Sequence, residues 1–240
     1  MDEQERRMAE IRSNFSKRSR EYDLWIRKVI PRYDEMLDVL VSCIKVPEGR
    51  SFRVIDIGCG TATLSEKLLA SQPDVELTCL DMTEDMLDLA RGRLSEHKNV
   101  RYLQFDLYDF VYDGPYDLII SSLALHHMVT DEDKRTQYRK IYQALSPGGS
   151  FYNADVVLAS DRCMQELYMR KWAEFMYQGL TSEEVDGSVL PRYYSEDSPA
   201  RLTDHLEWMK DAGFSVVDVV WKYYNLAVYG GKKPSSAEHS

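Results

Sequence analysis

The sequence predicts an α/β fold built on a mostly parallel sheet, on three observations. Short apolar runs alternate with amphipathic stretches from Phe52 to Val157. The first run, "FRVIDI", passes directly into a glycine turn that opens a helix. The second run closes on an acid, Asp81, about 20 residues beyond those glycines. Strands that alternate with helices in this way are wound into a parallel sheet by right-handed crossovers.

Taken in order, residues 5–45 repeat apolar positions at the three-and-four spacing of helices, and Pro31 is placed to open the second of them. "FRVIDI" is a buried strand and "TLSEKLLAS" the helix after it. "VELTCLD" is the second strand, and "TEDMLDLARGRLSEH" the second crossover helix, with Thr83 as its N-cap. "NVRYLQFD" and "YDLIISSLAL" supply the third and fourth strands. "DEDKRTQYRKIYQALS" is a helix expected to stop at Pro147-Gly148-Gly149, before a fifth strand "SFYNADVV". Residues 158–212 break the alternation and read as helix, loop, helix, with "TSEEVDGSVLPRYYSEDSP" as the loop. "FSVVDVVWKYYNLAVYGG" then gives an antiparallel hairpin at a sheet edge. The expected organisation is a helical cap over 1–50, a core over 51–157 and 213–231, a helical insertion or lid over 158–212, and a flexible tail over 232–240.

Composition narrows the functions. The chain has 240 residues and a formal charge of −10, which argues against a broad basic face for nucleic acid. No apolar run reaches the roughly 20 residues of a membrane helix, and the charged start "MDEQERRMAE" is unlike a secretory signal. Cys43, Cys59, Cys79 and Cys163 are scattered, which suits a reducing cytoplasm and offers no disulfide frame. A cytoplasmic location is therefore expected.

The chemistry concentrates in "RVIDIGCGTATLSEKLLA". Gly58 and Gly60, flanking Cys59, let a ligand approach the backbone closely, and Asp81 is placed to accept bonds from both ribose hydroxyls of a nucleoside. Asp56 then discriminates among nucleosides. A fixed carboxylate there would repel a phosphate by several kcal/mol at intermediate dielectric, on the order of the Coulomb estimate. It would attract the ammonium of S-adenosylmethionine, whose carboxylate the turn amides can hold. Met82 and Met86 are placed to flank the adenine, with core packing as the alternative.

The segments "VIDIGCGTA", "LDMTEDML", "QFDLYDF", "YDLIISSLALHHM" and "LSPGGSF" resemble the successive motifs of class I S-adenosylmethionine-dependent methyltransferases. The ending "AGFSVVDVVWKYYNLAVYGGKK" is similar to that of small-molecule members, and "NFSKRSREYDLW" resembles a segment shared with carboxy-S-adenosylmethionine synthases of tRNA modification. The resemblance implies a Rossmann-like seven-stranded sheet, order 3-2-1-4-5-7-6, with only strand 7 antiparallel. It implies S-adenosyl-L-methionine as cofactor, Asp106 (with Leu107 beside it) at the adenine amino group, and Ser122 and Leu123 beneath the sulfonium. His126 and His127 follow the fourth strand, where the family often carries a histidine pair. One of them is a candidate base and packing is the alternative. No metal is expected, since no third ligand is evident near the pair. Asp155, ending the fifth strand, would orient an acceptor or pair with the insertion.

Tyr22 would close over the methionine part of the cofactor, or bury itself with Trp25 and Ile26. In the insertion, Trp172, Met176, Arg192, Tyr193 and Tyr194 are the candidate acceptor contacts, and a core stripe is the alternative for the aromatics. The expected activity is methyl transfer to a small-molecule acceptor by in-line displacement. Alternatives are a carboxy-S-adenosylmethionine synthase and a non-catalytic S-adenosylmethionine-binding partner or sensor. A homodimer is compatible with the sequence.

Overall fold

The computed structural model describes Arg7, Ser13 and residues 22–47 and 49–235. One sheet of seven strands carries the fold: β1 (Arg53–Ile57), β2 (Glu76–Asp81), β3 (Val100–Gln104), β4 (Tyr116–Ser122), β5 (Leu145–Val156), β6 (Ser215–Tyr223) and β7 (Leu226–Lys232). Their order is β3-β2-β1-β4-β5-β7-β6, with β1 to β5 parallel and β7 antiparallel to both its neighbours. This is the predicted topology.

The helices are α1 (Tyr22–Val29), α2 (Tyr33–Ser42), α3 (Thr63–Ser71), α4 (Glu84–Arg93), α5 (Asp131–Ala144), α6 (Arg162–Met176), α7 (Leu190–Glu196) and α8 (Leu202–Asp211). Strand alternation divides the core between the two faces of the sheet. Val54, Leu118, Ile120 and Val228 pack on the side of α2, α3 and α4. Ile55, Ile119, Phe151 and Tyr229 pack on the side of α5 and α8. Most of the helix expected within residues 5–21 lies outside the described residues. Arg7, which is described, donates to Glu196 O and Ser198 Oγ.

Three expectations are corrected. Helix α5 ends at Ala144, and Pro147-Gly148-Gly149 lies inside β5, where the register with β4 shifts between Tyr116↔Leu145 and Leu118↔Ser150. Gly148 takes a positive φ of 80° there. The loop expected before α8 is largely helical. Thr181 and Glu184 form a reciprocal capping box on the turn Ser182–Glu184, and a wide π turn, Val185–Val189, leads into α7. Gly187 and Pro191 suggested a loop, but the glycine falls in the wide turn. Pro191 falls in the first turn of α7, where a missing N–H costs least. The tail expected from residue 232 starts later: Lys232 belongs to β7, and Lys233 donates from its backbone to Gly149 O and from Nζ to Leu145 O.

A buried polar chain crosses the sheet from α8. Tyr138 Oη lies 2.7 Å from His205 Nδ1 and 3.1 Å from Tyr229 Oη, and Asn153 Nδ2 donates to Tyr229 Oη and to Asp155 Oδ2. Burial pushes the His205 imidazole down from 6.5 to about 4. Between those two values the unfolded chain binds a proton that the folded one does not, so folding stability falls with the pH from about 6.5 toward about 4. The expected contribution is on the order of 3 kcal/mol across that window. Urea midpoints measured from pH 7 to pH 5 should slope less in His205→Phe than in the native protein, and parallel slopes would remove His205 as the source.

Candidate functional site

Two adjoining chambers open at the carboxyl ends of the parallel strands, beside β1 and β4, where the order of an open α/β sheet reverses. Tyr22, Leu123 and His127 line both. With their mouths included, they enclose ≈ 860 Å³ on the β1–β2 side and ≈ 770 Å³ on the side of the insertion.

The first chamber is built by the β1–α3 turn and the ends of β2, β3 and β4. Gly58, Gly60 and Ala62 take φ values of 68°, 52° and 62°, which coil the turn so that its backbone faces the chamber. A Cβ on Gly58 would lie 2.4 Å from Ala124 Cβ, whereas one on Gly60 would enter open space. Asp81 braces this turn. One carboxylate oxygen accepts from Gly60 N, and the other from Thr83 N and Thr83 Oγ1. Thr83 is at the N-cap position of α4 as expected, but its hydroxyl bonds Asp81 instead of the helix. The backbone of Met82 also faces this carboxylate, and Asp81 lines the chamber wall.

Of the sequence candidates, Tyr22, Gly58, Cys59, Gly60, Asp81, Met82, Met86, Leu107, Ser122 and Leu123 line this chamber. Asp106 is not among the lining residues: its Oδ1 accepts from Tyr108 N in a local turn, and the neighbours Phe105 and Tyr108 face the chamber instead. Asp56 is the larger correction, because it is not at the mouth. Alternation along β1 turns it toward α3, where it is fully buried and Oδ2 accepts from Ser65 Oγ. Burial raises its carboxyl to about 7. Its Oδ1 has no hydrogen-bond partner among the described residues. The sequence reading missed Tyr33, Thr61 and Thr63 in the wall. The two threonines were within the turn motif itself.

Helix α1 is fastened over the turn. Asp23 accepts from Thr61 Oγ1 at 2.6 Å and is paired with Arg93 of α4, which also donates to Thr63. That fastening holds Tyr22 above the junction of the chambers.

The second chamber is formed by α1, α6, α7 and the turn after β4. Leu123 takes a φ of 51°, a strained setting for a bulky side chain, and the chain then enters a 3₁₀ turn, Leu125–His127. Trp172, Arg192, Tyr193, His126 and His127 line the chamber. Met176 does not: it is fully buried in the core. Tyr194 does not either, and is 69% exposed. Asp155 is buried behind the wall, bonded to His126 Nδ1 and held there by Val156 N and Asn153 Nδ2. Burial would lower the His126 imidazole, but Asp155 and Asp197 beside it outweigh burial and raise it to about 8.

The absence of a third group near the histidine pair is also corrected. Ser198 N donates to His126 O and draws Asp197 in, so that Asp197 Oδ1 lies 3.1 Å from His127 Nδ1 and 3.7 Å from His126 Nε2. Nothing in the sequence signals this, since seventy residues separate Asp197 from His127.

Fold and site together define an α/β protein with a nucleoside-type chamber whose described lining carries no Lys or Arg to meet a phosphate. Residues 54–149 match the methyltransferase domain family. An uncharacterized methyltransferase of Staphylococcus carnosus is 31% identical over 64% of this chain and 71% of its own. A carboxy-S-adenosyl-L-methionine synthase of Campylobacter hominis is 27% identical over 88% of this chain and 90% of its own. Among solved structures, an O-methyltransferase family protein from Burkholderia thailandensis aligns with 93% of this chain and 63% of its own, at TM-score 0.65 and 18% identity. Human N-acetylserotonin methyltransferase, solved with its cofactor, aligns with 83% and 52%, at TM-score 0.57 and 16% identity. The chain spans about half to two thirds of the length of such structures. The chain belongs to the S-adenosylmethionine-dependent methyltransferases. Among its described residues no helix is long and apolar enough to cross a membrane.

Proposed function

We propose that this protein transfers a methyl group to a small molecule held in the second chamber. The observation that carries this reading is the pair of adjoining chambers separated only by shared side chains. The first fits S-adenosylmethionine on its own chemistry. Asp81 turns a carboxylate to the chamber where a ribose would lie, Met82, Met86 and Phe105 offer apolar surface to a base, and the open face of Gly60 admits a ligand against the turn. The unpartnered Oδ1 of Asp56 lies outside the chamber lining, where an ordered water would complete it. Bound there, the cofactor supplies a methyl group already activated on a sulfonium.

The chain's own residues then have to align and desolvate the acceptor. Trp172, Tyr193 and Val156 exclude water from the second chamber, and Tyr22 and Leu123 shape the passage between the two. His127 would take a proton from an acceptor that arrives protonated, while His126, oriented by Asp155 and raised to about 8, is better suited to give one near neutral pH. Incubation with labelled cofactor and pools of candidate acceptors tests this. S-adenosylhomocysteine should form only when an acceptor is present, and failure across all pools by a protein that binds the cofactor would leave a binding partner or sensor in its place.

A second reading is favoured by one observation. Arg192 lines the second chamber and is placed to hold a carboxylate there, as a carboxy-S-adenosylmethionine synthase would require. Mass spectrometry of the ligand that co-purifies with the protein separates the two, because a carboxylated cofactor is heavier than the parent.

A further inference from the structure

We propose that His126, His127 and Asp197 bind a divalent first-row transition-metal ion, zinc in its simplest form, in the wall of the second chamber. Each offers one ligand atom, and the three atoms lie within 4.8 Å of one another. Ligands at about 2.0–2.2 Å around a tetrahedral ion stand about 3.4 Å apart. The distances of 3.1 and 3.7 Å from Asp197 Oδ1 to the two imidazoles bracket that spacing. The third spacing, between the two imidazoles, is no more than 4.8 Å, and closing it around an ion is a matter of rotating the histidine rings.

A second, independent feature points the same way. A metal-binding histidine usually donates its other ring nitrogen to a carboxylate, which fixes ring and tautomer. His126 Nδ1 is bonded to the fully buried Asp155, and this leaves Nε2 directed to the side of Asp197. Asp155 is in turn held by Asn153 and by the backbone of Val156. An ion pair alone would not need this second tier.

Three protein ligands leave at least one coordination position, and all three residues line the second chamber, which gives an acceptor access to it. The site would therefore take an acceptor through a soft or ionisable donor atom, such as a thiol, hydroxyl or imidazole, and hold it close to the passage from the first chamber. This function of the metal rests on the methyltransferase reading. Metal binding itself does not.

Cobalt(II) titration of the metal-free protein, followed by its visible absorption, gives a direct readout, and elemental analysis after dialysis against zinc gives the stoichiometry. The native protein should take up one ion per chain. Asp197→Asn, which keeps the shape of the side chain, should weaken cobalt binding tenfold or more, and Asp155→Asn should weaken it by a smaller factor. S-adenosylhomocysteine binding by calorimetry, run on each variant, reports whether the protein is folded and the first chamber intact. Protein that binds S-adenosylhomocysteine but takes up no cobalt or zinc would overturn the metal site while leaving the proposed function standing. Equal cobalt affinity in native protein and Asp197→Asn would overturn it as well. One ion per chain with no S-adenosylhomocysteine binding would sustain the metal site and remove the methyltransferase reading.

Discussion

Asp81→Ala should raise the dissociation constant for S-adenosylhomocysteine about a hundredfold. Two losses combine. The acceptor site that faces the ribose disappears, and a hydrogen bond to a charged group contributes about 1.5–3 kcal/mol. The carboxylate also braces the turn through Gly60 N on one side and Thr83 on the other, so its removal loosens the backbone that the cofactor lies against. A total near 3 kcal/mol corresponds to two orders of magnitude in affinity. Thr83→Ala removes only one of the supporting bonds and should cost about tenfold or less. Calorimetric titration of the two variants measures both effects. Unchanged affinity in Asp81→Ala would take the nucleoside out of the first chamber.

Trp172→Ala should give the largest loss of stability of any single change in the insertion. The indole is 4% exposed, packs edge-on against Tyr193, and donates from Nε1 to Val29 O at the end of α1. Truncating a buried tryptophan costs about 3–5 kcal/mol. For a chain of this size that lowers the melting temperature by roughly 6–20 °C, at about 2–4 °C per kcal/mol. Trp172→Phe retains most of the volume and forfeits the hydrogen bond, so its cost should be near 1–3 kcal/mol, with Val29 O left unsatisfied. Trp172 lies outside the first chamber, so S-adenosylhomocysteine affinity should stay within a few fold in Trp172→Phe. Scanning calorimetry and titration on both variants check the two halves of the prediction.

What the sequence conveyed divides along physical lines. Strand positions and the β1–α3 turn were legible because they rest on local rules: apolar runs of strand length, glycines where φ must be positive, an acid at a strand end; the strand order followed from the family resemblance those motifs carry. Met82, Ser122 and Leu123 follow from the same logic, since strand ends of a parallel sheet share one edge, and Met86 comes with the first turn of the helix that β2 leads into. Asp56 was misplaced because the run "VIDI" fixes that alternate residues face opposite sides, without saying which side the ligand occupies. The helical stretch before α8 was misjudged because a π turn accommodates Gly187 and Pro191 in a way no local preference reveals. Asp197 was invisible because its partners come from the turn after β4, far away in sequence, and the bond from Ser198 N to His126 O is made only in the folded chain.

The segment matched by the methyltransferase domain family, 54–149, contributes only Leu123, His126 and His127 to the second chamber. Every other wall residue comes from α1 and the residues after it, or from Val156 onward. On the proposed reading, recipient choice is written mostly outside that segment, while donor handling is written mostly inside it, with Tyr22 and Tyr33 the additions. The same reading expects that replacing residues 158–212 by the equivalent stretch of a relative changes the recipient and leaves S-adenosylhomocysteine affinity as it was, since none of those residues lines the first chamber.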